Sequence, residues 1–322
     1  MLADGRYPWP MHDPLIELAT VPAVPLHPAV LAARAPLAAV IADLFAIPDA
    51  TLEAPWRWRP TDRDDFDVRY GIYRIHERLE TAIGAMETGR SAAPGEPIGP
   101  GVPALAAMAA ARWELRGALA PLVEADWDAD PGGGEWTVRR TVGHIVGGQR
   151  SYGWYNAWYL HEGVVGRDTE RPSDGIMPPE PSEDDEATGA PEVVIERLDE
   201  IVDGCIAAHA GLDHAAMRVG AIWWGQQVTI DFRLGRYGSH IREHTVQIDK
   251  TLAMLGRSPS EVERLVRLIL ATYGRLEAQL VGRSGGELER VIADGASTVA
   301  ILASAMADVG ATAASVRAAA TG

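Results

Sequence analysis

The sequence predicts an all-α protein built around an antiparallel four-helix bundle, and three observations carry that prediction. Apolar residues recur at helical spacing over Val102 to Glu124, Val193 to Leu212 and Thr229 to Leu255, and a further helix opens at Thr137. Connections between these segments are short, apart from one acidic stretch, as helices that run up and down beside one another require. Within the last segment His240 and His244 stand four apart, so 3.6 residues per turn stacks them on one face.

In chain order, the first hundred residues begin as a polar lead studded with Pro8, Pro10, Pro14, Pro22, Pro25 and Pro28. A helix is expected from about Ala29 to Phe45, then a loop with Trp56 and Trp58. Asp64 or Asp65 is read as the N-cap of a second helix reaching Met86 and carrying His76. The Gly/Pro-rich stretch Ser91 to Pro103 breaks the helical pattern and sets a boundary near residue 100. With 322 residues, two compact units are expected rather than one.

The bundle unit follows over residues 101–256, starting with the helix from Val102. Asp126 to Glu135, with Gly132, Gly133 and Gly134, is a loop, and Thr137 has the side chain to cap the next helix. On that helix His144 shares a face with the small residues Thr141, Gly148 and Ser151, which leave room above an imidazole or simply let two helices approach closely. Tyr152, Trp154, Tyr155, Trp158 and Tyr159 form an aromatic run, read mostly as core with one or two polar tips at a pocket wall. Gly166 to Pro191 is rich in Pro, Asp, Glu, Ser and Gly and reads as a solvated loop, with a lid over the site as the sharper alternative.

Residues 257–322 hold two more helices, about Ser260 to Val281 and Ala296 to Ala319. Gly295 to Ala305 loosely echoes Gly134 to His144, with Ala305 in the place of the histidine. If the echo marks a repeat, the leading and trailing helices pair as a second, degenerate bundle without a complete metal site.

Composition narrows the function. The chain is 47% hydrophobic and 23% charged, ordinary for a globular protein, and its net charge of −16 with a sole lysine, Lys250, argues against a nucleic-acid partner. No uninterrupted run of 18 apolar residues occurs and Met1 to Pro14 lacks the pattern of a secretion signal, so a cytoplasmic protein with no membrane partner is expected. Cys205 is the one cysteine, which excludes an intrachain disulfide and a cysteine-built zinc site; its apolar neighbours make it a buried, inert thiol. No phosphate-cradling glycine loop and no serine elbow is present.

The chemistry gathers on the histidines. A helical His-x-x-x-His pair can present two imidazoles to one metal ion, and His144 supplies a third. Three neutral nitrogens with a fourth position left open make a catalytic type of site, whereas three buried core histidines would bind nothing. Imidazole ligands suit zinc or nickel and do not select between them. Gln247, one turn past His244, is placed to orient it or a metal-bound water; Glu243 is read as pointing aside into a neighbouring helix, and His76, His161, His209 and His214 as surface or satisfied core residues.

A tryptophan before a helix that bears a histidine two turns in (Trp136, His144), then a His-x-x-x-His helix ending in Leu255-Gly256, resembles the DinB / YfiT-like superfamily of metalloenzymes over about residues 102 to 256. The resemblance implies an up-and-down four-helix bundle in which His144, His240 and His244 hold a divalent metal. It also implies a thiol-dependent transferase or isomerase using a small-molecule thiol. A metal-dependent hydrolase and a non-catalytic ligand-binding or assembly module remain the alternatives. The expected partner is a small-molecule substrate, with a homodimer left open.

Overall fold

The structure, a computed structural model, describes residues 13–58, 66–92, 97–163, 172, 175–293 and 295–322. Asp64 and Asp65, read above as caps, lie outside the described residues, as do parts of the Ser91 to Pro103 and Gly166 to Pro191 stretches. Among the described residues the chain is all-α with little sheet. Its helices are α1 (Pro14–Glu17), α2 (Pro28–Phe45), α3 (Val68–Ala92), α4 (Val102–Leu119), α5 (Glu124–Asp128), α6 (Val138–Glu162), α7 (Glu183–Glu186), α8 (Pro191–His209), α9 (Ile230–Met254), α10 (Glu261–Ala278), α11 (Gly285–Glu289) and α12 (Thr298–Thr321). Three two-stranded antiparallel hairpins accompany them: β1 (Pro55–Trp56) with β2 (Phe66–Asp67), β3 (Gly220–Trp223) with β4 (Gln226–Thr229), and β5 (Val291–Ala293) with β6 (Ala296–Ser297).

The chain divides into two compact units, one of residues 1–25, 98–115 and 122–257, the other of residues 26–97, 116–121 and 258–322. The boundary read near residue 100 therefore does not group the first 25 residues correctly. Helix α1 packs on α6 and α8, and the Val24 N–H donates to the Ala207 carbonyl at 2.8 Å, so this lead is tied into the first unit by burial and backbone pairing.

In the first unit α6 lies against α8 and α9, and α4 closes the bundle. Arg112 of α4 is fully buried and reaches Asp203 of α8 at 2.6 Å, while Glu114 pairs with Arg242 of α9 at 2.8 Å. Close approach of α4 and α9 depends on Gly238, where a Cβ would meet the Ala107 backbone at 3.1 Å. Thr137 caps α6, its hydroxyl accepting from the Arg140 N–H. Ahead of α9, Trp224 and Gly225 form a two-residue turn with φ of 49° and 73°, the left-handed pair that suits the twist of a tight hairpin.

In the second unit α12 packs on α3 and α2, and α10 packs on the same two helices. Glu277, 1% exposed, receives the guanidinium of Arg34 at 3.0 Å and ties α10 to α2. The His76 Nδ1 lies 2.9 Å from Thr272 Oγ1, which gives that isolated histidine a structural partner across α3 and α10. By length and composition α2 and α12 would each suffice to cross a bilayer; here they lie against one another.

Candidate metal centre

Helices α6 and α9 bring His144, His240 and His244 together, with one ring nitrogen from each lying within 4.8 Å of the others. Ring centroids are 4.5 Å apart for His144 with His244 and for His240 with His244, and 5.1 Å for His144 with His240. The Nε2 atoms of His240 and His144 are 3.2 Å apart. Two nitrogens on a tetrahedral zinc, each bonded at 2.0–2.1 Å, stand about 3.3 Å from one another, so this edge already has the right length.

Each ring is steered by a neighbour that takes its other nitrogen. The Glu183 carboxylate lies 2.6 Å from His144 Nδ1, and the Gln247 side-chain oxygen lies 2.7 Å from His244 Nδ1. Both acceptors hold the ring proton on Nδ1 and leave the Nε2 lone pair free, the arrangement that orients histidine ligands in metal sites. His240 Nδ1 faces the Gln149 amide nitrogen at 3.4 Å, while the buried Gln149 oxygen has no partner. The Gln149 nitrogen also donates to the Tyr237 carbonyl at 3.3 Å, which fixes that amide beside the ring. The donor set of three imidazoles fits a divalent ion.

Burial keeps His240 and His244 uncharged. His240 is 4% exposed, and desolvation, reinforced by His244, His144 and Arg236, pushes its pKa down to about 3. Desolvation also lowers His244, against the opposing hydrogen bond from Gln247. Neutral imidazole is the metal-binding form, so the pair is ready to ligate at neutral pH. Trp136 covers the cluster, its ring parallel to His244 at 6.4 Å and edge-on to His144 at 5.2 Å, with the Arg140 guanidinium 4.7 Å from its face.

Gly148 sets the clearance on the α6 side, for a Cβ there would stand 2.5 Å from His240 Cε1. The small residue on the histidine face thus lets α9 put its imidazole directly on the α6 backbone. Glu243, read as pointing aside, pairs with Arg236 of its own helix at 2.8 Å.

Glu183 was not singled out from the sequence, because it sits in the acidic stretch read as a solvated loop. Its part of that stretch is anchored. Ser182 caps α7 in a capping box with Asp185, and Gly143 admits the Glu183 carbonyl to where a Cβ would lie 2.5 Å from it. Glu186, 2% exposed, accepts from Arg150 of α6 at 2.5 and 3.2 Å and lies 3.8 Å from Arg197 of α8. A doubly paired, buried carboxylate pins α7 to two helices and delivers Glu183 to His144.

Beside the cluster is a pocket of about 240 Å³. Tyr152 joins the two, packing edge-on to His240 at 5.2 Å and lining the pocket along with Tyr155, Tyr159, Trp223, Trp224 and Arg233. Arg233 is held by Asn156 at 2.5 Å and by the Ile222 carbonyl at 3.0 Å. Of the aromatic run, Trp154 and Trp158 lie in the core, while three residues, Tyr152, Tyr155 and Tyr159, line the wall, more than the one or two that the sequence suggested.

A family model, that of the DinB superfamily, matches residues 107–248, a span that holds all three histidines, Gln149, Glu183 and Gln247. Over this span the chain is DinB-like. No curated protein and no solved structure matches the chain. Within the DinB domain the three histidines form a cluster that can hold a metal ion, and α7 supplies the carboxylate that orients the first of them.

Proposed function

We propose that this protein is a divalent-metal-dependent enzyme that activates a small-molecule thiol for transfer or isomerisation, with His144, His240 and His244 holding zinc or nickel. The reading rests on one observation: three imidazole rings converge while Glu183 and Gln247 take the Nδ1 of two of them. When bound, such an ion supplies Lewis acidity that lowers the pKa of a thiol or water presented to it. The thiol comes from outside the chain. Cys205 is buried on α8 with its pKa pushed up to about 12, chiefly by desolvation, and its sulfur lies 3.9 Å from the Gln149 carbonyl instead of in the pocket. Tyr152 and Arg233 line the space next to the rings, where a buried guanidinium and a phenol can orient an anionic substrate and aromatic walls exclude water.

Protein purified without chelator is expected to carry close to one equivalent of metal, lost in the His240→Ala/His244→Ala double variant while its helical circular dichroism persists. In the cobalt-substituted protein, small thiols are expected to raise a sulfur-to-cobalt charge-transfer band that His144→Ala abolishes. Stoichiometric metal in the double variant overturns the ligand set. Turnover of esters or amides with a cobalt spectrum indifferent to thiols replaces the transferase reading with a hydrolase; neither response leaves a binding module.

A further inference from the structure

Arg233 carries a positive charge into the interior of the first unit with no carboxylate to meet it. The residue is 5% exposed, and its two hydrogen-bond partners are neutral oxygens, Asn156 Oδ1 at 2.5 Å and the Ile222 carbonyl at 3.0 Å. Around it stand the phenols of Tyr152, Tyr155, Tyr159 and Tyr237, which are uncharged at neutral pH. Its neighbour Arg236 differs, because Glu243 takes that guanidinium at 2.8 and 3.0 Å. Burial lowers the pKa of Arg233, yet a guanidinium stays protonated at neutral pH, and a buried charge is ordinarily paired.

The unpaired charge is open to the pocket of about 240 Å³ beside the histidine cluster. Of the five guanidinium N–H groups, Asn156 and Ile222 use one each, which leaves the Nη2 pair and the second Nη1 proton. Nη2 takes no hydrogen bond among the described residues and keeps accessible surface at the pocket. The one carboxylate in the lining, Glu180, is exposed to solvent and accepts from the Tyr155 hydroxyl at 2.9 Å instead of pairing with Arg233. Asn156 gives its own Nδ2–H to the Tyr237 hydroxyl at 3.2 Å, so the guanidinium is held in place before any guest arrives.

We infer that this pocket takes a compact monocarboxylate with a flat body, its carboxylate on the free N–H groups of Arg233. That the guest is the substrate rests on the metal-enzyme reading above; that it binds does not. One uncompensated positive charge is the complement of one negative charge, whereas a phosphate monoester, at about −1.5 to −2 near pH 7, would bring a surplus into a buried site. A planar fork of N–H groups also matches a planar carboxylate. Aromatic walls alone would suit a cation, but Arg233 repels one. Those walls are Tyr152, Tyr155, Tyr159, Trp223 and Trp224, with the Arg233 Cζ 5.1 Å from the Tyr159 ring and 5.3 Å from that of Trp223. Flat bodies pack on such rings by offset stacking or edge-on.

The same helix sets the guest against the metal cluster. Arg233 and His240 are seven residues apart on α9, so two turns place them on one face with about 10 Å of helix between them. Tyr152 spans that interval, lining the pocket and packing edge-on to His240 at 5.2 Å. A carboxylate seated on Arg233 therefore leaves the opposite end of the molecule toward the rings.

The test uses the full chain as purified, with 4-fluorocinnamate as the probe and fluorine NMR as the readout. Saturable binding is expected, kept within about twofold after chelator treatment and weakened about tenfold or more both in Arg233→Gln and for the uncharged 4-fluorocinnamamide. The amide comparison needs no variant, so it decides the matter should Arg233→Gln fail to fold. No saturable binding, an amide that binds as tightly as the acid, undiminished binding in Arg233→Gln, or binding lost on chelation, which would put the carboxylate on the metal, overturns the proposal. Displacement of the probe by an equal concentration of acetate overturns its flat body. A thiol-responsive cobalt spectrum without probe binding sinks this inference and leaves the enzyme reading standing; probe binding to a protein that holds no metal does the reverse.

Discussion

Replacing Gly148 with alanine tests how the two helices share the metal cluster without removing any ligand. The added Cβ would sit 2.5 Å from His240 Cε1, where carbon atoms ordinarily come no closer than about 3.5 Å, so the ring must move by about 1 Å. His240 is 4% exposed and is flanked by the Tyr152 ring at 5.2 Å, which leaves rotation away from His144 as the way out. Losing the alignment of one ligand is expected to weaken zinc binding about 10- to 100-fold, the size of effect seen when groups that orient ligands are removed. Alanine in a helix interior gains about 1 kcal/mol over glycine, but overpacking against a buried ring costs about 1–3 kcal/mol, so no net gain in stability is expected. Gly147 provides the control: its Cβ would meet only Glu186 Cγ at 3.8 Å, an ordinary contact, so Gly147→Ala should gain stability and keep its affinity. Competition against a chromophoric chelator reads the affinity, and the cobalt absorption spectrum reads the coordination. Zinc affinity of Gly148→Ala within twofold of wild type, with an unchanged cobalt spectrum, would refute the argument that this helix contact sets the ring.

Two further outcomes are expected. Glu186→Ala removes the buried carboxylate shared by Arg150 and Arg197 and should cost about 3 kcal/mol in denaturant unfolding. It should also open residues 175–190 to protease and weaken metal binding through Glu183; a variant as protease-resistant as wild type removes α7 from the account. His209, 1% exposed with its pKa pushed down to about 4 by burial, stays neutral in the fold, while in the unfolded chain it takes up a proton below about pH 6.5. The unfolded state thus binds more protons between those values, so the His209 contribution falls as pH drops, by about 2 kcal/mol from pH 7 to 5. Unfolding curves at the two pH values should show a loss about 2 kcal/mol smaller in His209→Gln than in wild type, His240 and His244 supplying the rest; an equal loss in both assigns the acid sensitivity elsewhere.

The bundle helices and the stacking of His240 over His244 were legible because both follow from periodicity, whereas His144 as their third partner came from the resemblance. Apolar spacing alone places α4, α6, α8 and α9, and an i, i+4 step alone stacks His240 over His244. Gln247 was legible for the same reason, being one turn beyond the ligand that it contacts. Glu183 was not, because its usefulness depends on Glu186 being buried between two arginines from different helices, and no local pattern distinguishes that carboxylate from its solvated neighbours. The hairpins were missed because strands of two to four residues carry too few alternations to register. The grouping of residues 13–25 with the first unit rests on long-range contacts, such as the Val24 pairing with Ala207, that leave no mark on composition.

The interleaving of the two units has a consequence for the order in which the chain can mature. Helices α2 and α3 emerge during synthesis before any helix of the DinB domain, but α10 and α12, against which they pack, emerge only after residue 257. At 5–20 residues per second, the intervening stretch of chain takes on the order of ten to thirty seconds to appear. Throughout that time the core-facing Val30, Leu37 and Leu44 of α2, a helix apolar enough to suit a bilayer, lack the α12 surface that later covers them. A half-made bundle is kept waiting while the DinB domain, whose residues are then all available, folds in the interval. The need for protection by chaperones on the ribosome accordingly falls on the leading helices of the second unit and not on the part of the chain that carries the histidines.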